Sequence, residues 1–588
     1  METMIPVRAY LTLLRRYLEP LRGRVALLAV VLFSGVGLQL VNPQLIARFI
    51  DGAVTGSQAS ELIPLAVLFI LIALLQQGLA VWATYLAEDV GWTATNRLRA
   101  ELAAHVMHLD MGFHKSHSAG ELIERVDGDV TSLSNFFSAM MIKVVGNGAL
   151  VAGIIVMLFI QSWIVGLAVT VFTVTAFLVM TRLHEIAVPW WKSVRAISAE
   201  TYGYVGEQVE GTEDIDGNGA AVFMQERFAA MMRRWLPLAI RGWTGWAMLW
   251  STNIVLYGLS TTIVFALGGW LFGIGTLTLG SVYLVFHYTE MTRHPMEEIR
   301  SQMEDLQKAG AAIERVEELF ATTTRLKPEG DHAVPHGPLR VEFDSVTFAY
   351  QDDDEGDEKP VLDGVSFDIA PGRVVGLLGR TGSGKSTIAR LITRLYEPQS
   401  GAVRLGDVAT WDARVSDFRA RVGMVTQDVQ LFRASIRDNL TFFDSSIADD
   451  QILDAIHRLE LDEWLESIPA GLDTMLESGS GGLSAGQAQL LAFTRIFLED
   501  PGVVVLDEAS SRLDPATEAL IERAVDHLLS DRTGIIIAHR LHTVTRADDI
   551  LVLEDGEVVE FGERATLMAD KTSRFSRLLE TGMEEVLA

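Results

Sequence analysis

The chain has no cysteine in its 588 residues. That excludes disulfides, thiolate metal sites and thiol catalysis. Positive charge is also scarce. Against 76 Asp and Glu stand 48 Lys and Arg, a formal net charge of −28, which argues against nucleic acid as a partner. A cleavable signal peptide is missing as well. The opening METMIPVRAYLTLLRRYLEPLRGR has no short apolar core followed by a small-residue cleavage site. Instead, Tyr10, Leu11, Leu13, Leu14, Tyr17 and Leu18 share one broad helical face with Arg15 and Arg16 outside it, the pattern of a helix lying along a membrane surface. The acidic run QDDDEGDEK at 351–359 reads as a solvated loop.

What is present divides the chain in two. At this length one core is not enough, so at least two domains are expected. Hydrophobic residues make up 49% although 21% are charged, and the mean hydropathy is +0.26. An apolar part is therefore joined to a charged part. Six runs approach the ~20 apolar residues that a membrane-spanning helix needs. They lie at 25–50, 62–86, 144–160, 163–181, 243–267 and 277–289. Two long polar segments with helical pattern, 87–135 and 182–242, separate pairs of runs, whereas the other connections are short. This spacing predicts tall helix hairpins reaching into one compartment. The long segments hold Arg97, Arg99, Lys115, Arg125, Arg182, Lys192, Arg195, Arg227, Arg233, Arg234 and Arg241, and the short loops hold no Lys or Arg. The positive-inside rule then places the long segments and both termini in the cytoplasm, with the chain in the cytoplasmic membrane. Lys143, at the edge of the third run, reads as a snorkelling side chain. Trp243, Trp246 and Trp250 recur at helical spacing. They read as interfacial anchors or, more sharply, as an aromatic wall for lipophilic cargo.

The sixth run continues into a charged helical pattern, TRHPMEEIRSQMEDLQKAGAAIERVEELF, which Pro295 is expected to kink. A Pro, Gly and Thr-containing stretch follows as a linker. From Leu339 on, short apolar strands alternate with helices, predicting an α/β domain with a largely parallel sheet. The expected division is 1–320 helical membrane domain, 321–338 linker and 339–588 α/β domain.

Two motifs carry chemistry. GLLGRTGSGKST starts as a strand and ends by opening a helix, with Gly379-x4-Gly384-Lys385-Ser386 inside it, the P-loop. Its backbone N–H groups suit phosphate oxygens, Lys385 suits the β and γ phosphates of a nucleotide, and the Ser386 hydroxyl suits Mg²⁺. VVVLDEAS is a buried strand ending in two carboxylates. Asp507 fits a Mg²⁺-holding role and Glu508 the polarisation of an attacking water.

With these motifs in order, the chain resembles an ABC exporter half-transporter. The second half is similar to the ABC nucleotide-binding domain and the first half, less specifically, to its six-helix membrane domain. The resemblance implies ATP and Mg²⁺ as cofactors. Residues 379–387 (Gly379, Arg380, Thr381, Gly382, Ser383, Gly384, Lys385, Ser386 and Thr387) would form the phosphate loop, and Tyr350 would stack on adenine. Gln427 would sense Mg²⁺, Ser386 and Asp507 would hold it, and Glu508 and His539 would be catalytic. Residues 511–514 would form the loop after the acidic strand. Ser484, Gly486 and Gln487 would belong to the signature loop that covers a partner's ATP. Segments 113–130 and 210–228 resemble the two cytoplasmic coupling segments. The implied partners are a second half-transporter, the lipid bilayer and a small-molecule or lipid substrate.

The signature departs from the family pattern. Ala485 replaces its first glycine, Ala488 and Leu490 stand where Arg is usual, and LESGSGG replaces the usual run before it. A strong half-site, with Tyr350, Lys385, Gln427, Asp507, Glu508 and His539 intact, next to an altered signature favours a heterodimer. A homodimer that tolerates Ala485 is the competing reading. ATP-driven export is the expected activity. An ATP-gated regulatory subunit and an importer on the same architecture are the alternatives. A soluble ABC ATPase does not fit the six apolar runs.

Overall fold

The computed structural model describes residues 15–327, 330–350, 360–427, 429–477, 483–507, 515–538 and 544–581. Tyr10, Leu11, Leu13 and Leu14, the acidic loop 351–359, the segment 478–482, Glu508, the loop 511–514 and His539 lie outside the described residues. The chain forms two compact units. They are not consecutive in sequence: Met107–Ala119 belongs with Thr322–Ala588, and the rest up to Ala321 forms the first unit.

The first unit is helical. Among the described residues, five helices are long and apolar enough to cross a membrane: α1 (Arg15–Thr55), α2 (Ala59–Met107), α4 (Ala119–Gln161), α5 (Trp163–Glu210) and α7 (Ala221–Gly273). They have 41 to 53 residues, or about 60–80 Å at ~1.5 Å per residue. That is twice the ~30 Å hydrocarbon thickness, so each apolar run continues into a polar extension of the same helix. The sixth expected run also forms a helix. It forms α8 (Leu279–Met291), only 13 residues, followed after Thr292 by α9 (Arg293–Ala321). The break precedes Pro295, which sits in the first turn of α9, where a missing N–H costs little.

Tight seams fix these helices. Gly242 and Gly245 of α7 lie so close to α5 that a Cβ at either would come within 2.9 Å of Val194 Cγ2 or 3.1 Å of Trp190 Cε3. Trp191 Nε1 donates to Gly242 O at 3.1 Å. Such small-residue contacts are how helices associate where lipid removes the hydrophobic drive. Tyr288 of α8 is fully buried and donates its hydroxyl to Leu40 O at 2.6 Å. Asp129 of α4 is buried and accepts Arg315 Nε of α9 at 2.8 Å. Lys143 pairs with Glu298 of α9 at 3.2 Å. Elsewhere the apolar surface is open. No residue in the most apolar stretch of α2 is buried, and Leu71, Leu74 and Leu75 are more than half exposed. Apolar surface this extensive belongs in a bilayer or against another chain.

The second unit contains two sheets. The six-stranded one runs β10-β9-β3-β8-β7-β6, from β3 (Val374–Gly379), β6 (Val422–Val425), β7 (Val503–Asp507), β8 (Thr533–Ile537), β9 (Asp549–Glu554) and β10 (Glu557–Glu563). All pairings are parallel except the edge strand β10. Every residue of β3 and β8 is buried, as expected for continuous apolar runs covered on both faces. A separate antiparallel sheet, β2-β1-β4-β5, was not anticipated. It uses β1 (Val341–Phe348), β2 (Leu362–Ile369), β4 (Ser400–Leu405) and β5 (Val408–Ala409).

The short helix α3 (Met111–Ser116) is held in this unit by one carboxylate. Asp110 caps it by accepting Phe113 N at 3.2 Å, and its other oxygen accepts Arg325 N at 2.7 Å. Burial alone would raise this carboxyl. The N–H groups of Arg325, Phe113 and Gly112 outweigh burial and hold it below its ordinary 3.8. Because the folded value is depressed, the stabilisation is present above the unfolded value and lost as pH falls through the folded one. Asp110→Ala is expected to cost about 1–3 kcal/mol locally. Hydrogen exchange should show faster exchange at the Phe113 and Arg325 amides, with Asp110→Asn milder; unchanged exchange in both would contradict this anchoring.

Candidate functional site

The loop after β3 is shaped by glycines in backbone conformations that disfavour a side chain. Gly379, Gly382 and Gly384 have φ of +154°, +86° and +105°. A Cβ at Gly379 would lie 2.3 Å from Leu553 O, and one at Gly384 would lie 2.6 Å from Leu362 Cδ2. A Cβ at Gly382 would meet nothing within 4 Å, so the outer rim of the loop is open. Gly384 caps α10 (Lys385–Ile392), whose first turn therefore presents free N–H groups toward the loop.

Lys385 is only 6% exposed. Its Nζ donates to Gly379 O at 2.7 Å and Arg380 O at 3.0 Å. Burial pushes its pKa down, and the carboxylate of Asp507 acts in the opposite direction. Among the described residues the Ser383 hydroxyl is buried with no hydrogen-bond partner. A buried cation bonded to two carbonyls, an orphaned hydroxyl and an open rim fit an anion with several oxygens, as a phosphate chain has.

Strand register brings the remaining groups to the same edge. Leu377 of β3 lies opposite Ile537 of β8, Ile537 opposite Asp507 of β7, and Leu506 opposite Val425 of β6. Asp507 is thus level with the start of the loop, two strands or about 10 Å away. Gln427 follows β6 by two residues at the same carboxyl end and is exposed. Ligands of open parallel sheets bind at this edge. Ser386, Gln427 and Asp507 offer only oxygen donors, with one carboxylate. Among the described residues no cluster of three His, Cys, Asp or Glu could hold a metal. Such a set fits Mg²⁺, which is usually held by one or two carboxylates together with substrate phosphates.

Tyr350 stands beside the loop. Its hydroxyl lies 3.0 Å from Thr387 Oγ1 and accepts Arg390 Nη1 at 2.8 Å. Its ring meets Phe348 and Tyr396 edge to face, and Lys115 Nζ lies 5.1 Å from its centroid. Arg390 could have been found from the sequence, because it is three residues beyond Thr387 on the same helix face. Nothing in the spacing points to Lys115, 235 residues earlier.

Ser484, Gly486 and Gln487 are not joined to this loop by any hydrogen bond among the described residues. They open α13 (Ala485–Glu499). Ser484 Oγ accepts Gln487 N at 3.2 Å, and Gln487 Oε1 accepts Ser484 N at 3.0 Å, a closed capping box. Ala485 is the first helical residue and is exposed, so its methyl causes no local strain. Ala488 and Leu490 are buried in the helical core, where an Arg would be costly.

Fold and site together define a P-loop nucleotide-binding domain fused to a helical membrane domain. The profile of the ABC transporter transmembrane region matches residues 25–294, and the ABC transporter profile matches 362–511. The chain belongs to the ABC transporter family. It binds ATP, and it is an ATP hydrolase whose reaction is coupled to transport. It is 29% identical to an ATP-dependent lipid A-core flippase of Idiomarina loihiensis, across 95% of each chain. It is 31% identical to the flippase of Shewanella denitrificans, over 81% of this chain and 78% of that one. A fatty acid ABC transporter ATP-binding/permease protein of Mycobacterium tuberculosis is 30% identical over 80% of this chain and 74% of its own length. A bacterial Atm1-family ABC exporter with ATP bound shares the fold, with a TM-score of 0.75 at 24% identity over 95% of this chain and 98% of the other.

The Gly379 geometry makes a direct prediction. Gly379→Ala should cost nucleotide retention and lower the melting temperature, since its Cβ has no room beside Leu553 O. Retention equal to the parent in an ATP-binding titration would show that the loop does not need this turn.

Proposed function

We propose that this chain is one half of a dimeric ATP-driven exporter of lipophilic or amphipathic molecules. Its place is the cytoplasmic membrane, with the nucleotide-binding domain in the cytoplasm. The observation that carries this reading is the pairing, in one chain, of a caged Lys385 at a sheet edge with long helices whose apolar faces are uncovered. The names of the relatives, a lipid A-core flippase and a fatty acid transporter, support a lipid-like substrate.

In this reading Lys385 and the N–H groups of residues 379–387 hold the phosphates, and Tyr350 supports the adenine. Ser386, Gln427 and Asp507 hold Mg²⁺, which when bound neutralises phosphate charge. Glu508 takes the proton of the attacking water and His539 keeps the reacting geometry. Catalysis is mainly positioning and electrostatic stabilisation. Ser484 and the Gly486 N–H serve a nucleotide held by the partner. Closure of two such domains moves the membrane helices between inward- and outward-open arrangements, and hydrolysis resets them.

Ala485, together with the intact half-site, favours a different half-transporter as partner. The closed capping box behind Ala485 supports the second reading, a homodimer. Both are tested by ATPase assay of the chain purified alone in lipid nanodiscs. The heterodimer reading expects weak turnover, raised roughly tenfold or more by a partner with an unaltered signature. Brisk turnover of the lone chain, rising cooperatively with ATP, would establish the homodimer. In whichever assembly is active, Glu508→Gln should lower turnover on the order of 10²-fold or more. A variant that still turns over normally would remove Glu508 from this role.

A further inference from the structure

The helices α1 and α8 meet along about three turns of α1, from Leu40 to Asp51. At one end of this seam the hydroxyl of the buried Tyr288 donates to Leu40 O at 2.6 Å and accepts Gln44 Nε2 at 3.3 Å. At the other end Asp51 reaches the first turn of α8. Its Oδ1 accepts Gly280 N at 2.7 Å, and its Oδ2 accepts the Thr278 hydroxyl at 2.7 Å. Thr278 Oγ1 also accepts Ser281 N at 3.1 Å. Beside this contact the backbones nearly touch. A Cβ at Gly280 would lie 2.2 Å from Ala47 O, and both residues are buried.

The first N–H groups of a helix have no partner inside it. In α8, Thr278 satisfies one from the same segment, and Asp51 satisfies another from a different helix. The carboxylate also faces the positive end of the α8 dipole. A cap supplied this way holds two helix ends together and is easy to undo. Asp51 is half-buried, so water can replace it at both partners when the ends part. The buried bond of Tyr288 has no such substitute, which makes the Asp51 end the one that opens first. In the topology proposed above this end faces away from the cytoplasm. The adjoining turns, 56–58 and 274–278, hold no Lys or Arg.

We propose that Asp51 is the latch of the non-cytoplasmic gate. It holds the outer ends of α1 and α8 together while that side is closed, and its release from Gly280 and Thr278 accompanies opening. Asp51 is thus a positioning residue for transport: it acts through α8 and does not touch the cargo. The proposal rests on the transport reading above, in which the outer ends must part once in each cycle.

The chain has no cysteine, so one introduced thiol reports the seam without interference. The reference is Ala47→Cys in the full-length protein, placed in lipid nanodiscs as the assembly that hydrolyses ATP. A bulky hydrophilic maleimide labels it over a series of ATP concentrations. The reference should label slowly without nucleotide and roughly tenfold faster with saturating ATP, the scale of one charge-assisted contact. Adding Asp51→Ala should raise labelling without nucleotide by a similar factor and lower the ATP concentration that gives half-maximal labelling. Asp51→Asn should stay near the reference, since an amide oxygen still accepts Gly280 N. A variant that is only less stable would label faster at every ATP concentration with an unmoved midpoint, and that outcome would overturn the latch. So would fast labelling of the reference without nucleotide, or Asp51→Ala labelling like the reference while ATP still accelerates both; neither would touch the transport reading. A reference that ATP does not affect would overturn the transport reading and the latch with it.

Discussion

The ammonium of Lys385 is buried among main-chain carbonyls, and most of the nucleotide-binding architecture serves that placement. Burial disfavours a charge unless it is partnered, and here the partners are Gly379 O and Arg380 O. The arrangement depends on three left-handed glycines, an all-buried strand leading in and a helix leading out. It also depends on neighbouring strands ending at the same edge, so that the Asp507 carboxylate acts on the same cation. Such a site holds affinity for oxygen-rich anions in reserve, because carbonyls are weaker partners for an ammonium than phosphate oxygens.

The membrane unit obeys a different constraint. Its helices bury little of their apolar surface, so close approach at Gly242 and Gly245 and a few polar clasps fix their positions. The clasps lie where α9 meets α4: Asp129 with Arg315 and Lys143 with Glu298. A segment of the same chain, Met107–Ala119, packs as part of the nucleotide-binding unit.

The sequence made the local features legible and the nonlocal ones obscure. Apolar length located five long helices, because lipid demands a run of fixed size. The sixth run also forms a helix, α8, which a turn at Thr292 separates from α9. The P-loop glycines were readable because only glycine tolerates those φ values at close quarters. The swap of Met107–Ala119 into the other unit was not readable, because no periodicity encodes which body a six-residue helix joins. The antiparallel sheet was missed although β1 with β2 and β4 with β5 are neighbours in sequence; only the β1–β4 pairing joins strands with others between them. The partner of Lys143, Glu298, was not readable either, being 155 residues away. Ala485 was readable as a departure from the signature pattern, but not as the first residue of a helix closed by a capping box. Lys115 near Tyr350 had no local signature at all.

The central claim is that Lys385 holds the phosphates of a nucleotide at the carboxyl edge of this sheet. Isothermal titration of ATP into the purified full-length chain, compared with Lys385→Ala, tests it most directly. The account predicts saturable binding by the parent and at least tenfold weaker binding by the variant, the loss expected for one charge-assisted contact. Equal affinity in a variant that keeps the parent's melting temperature would contradict it.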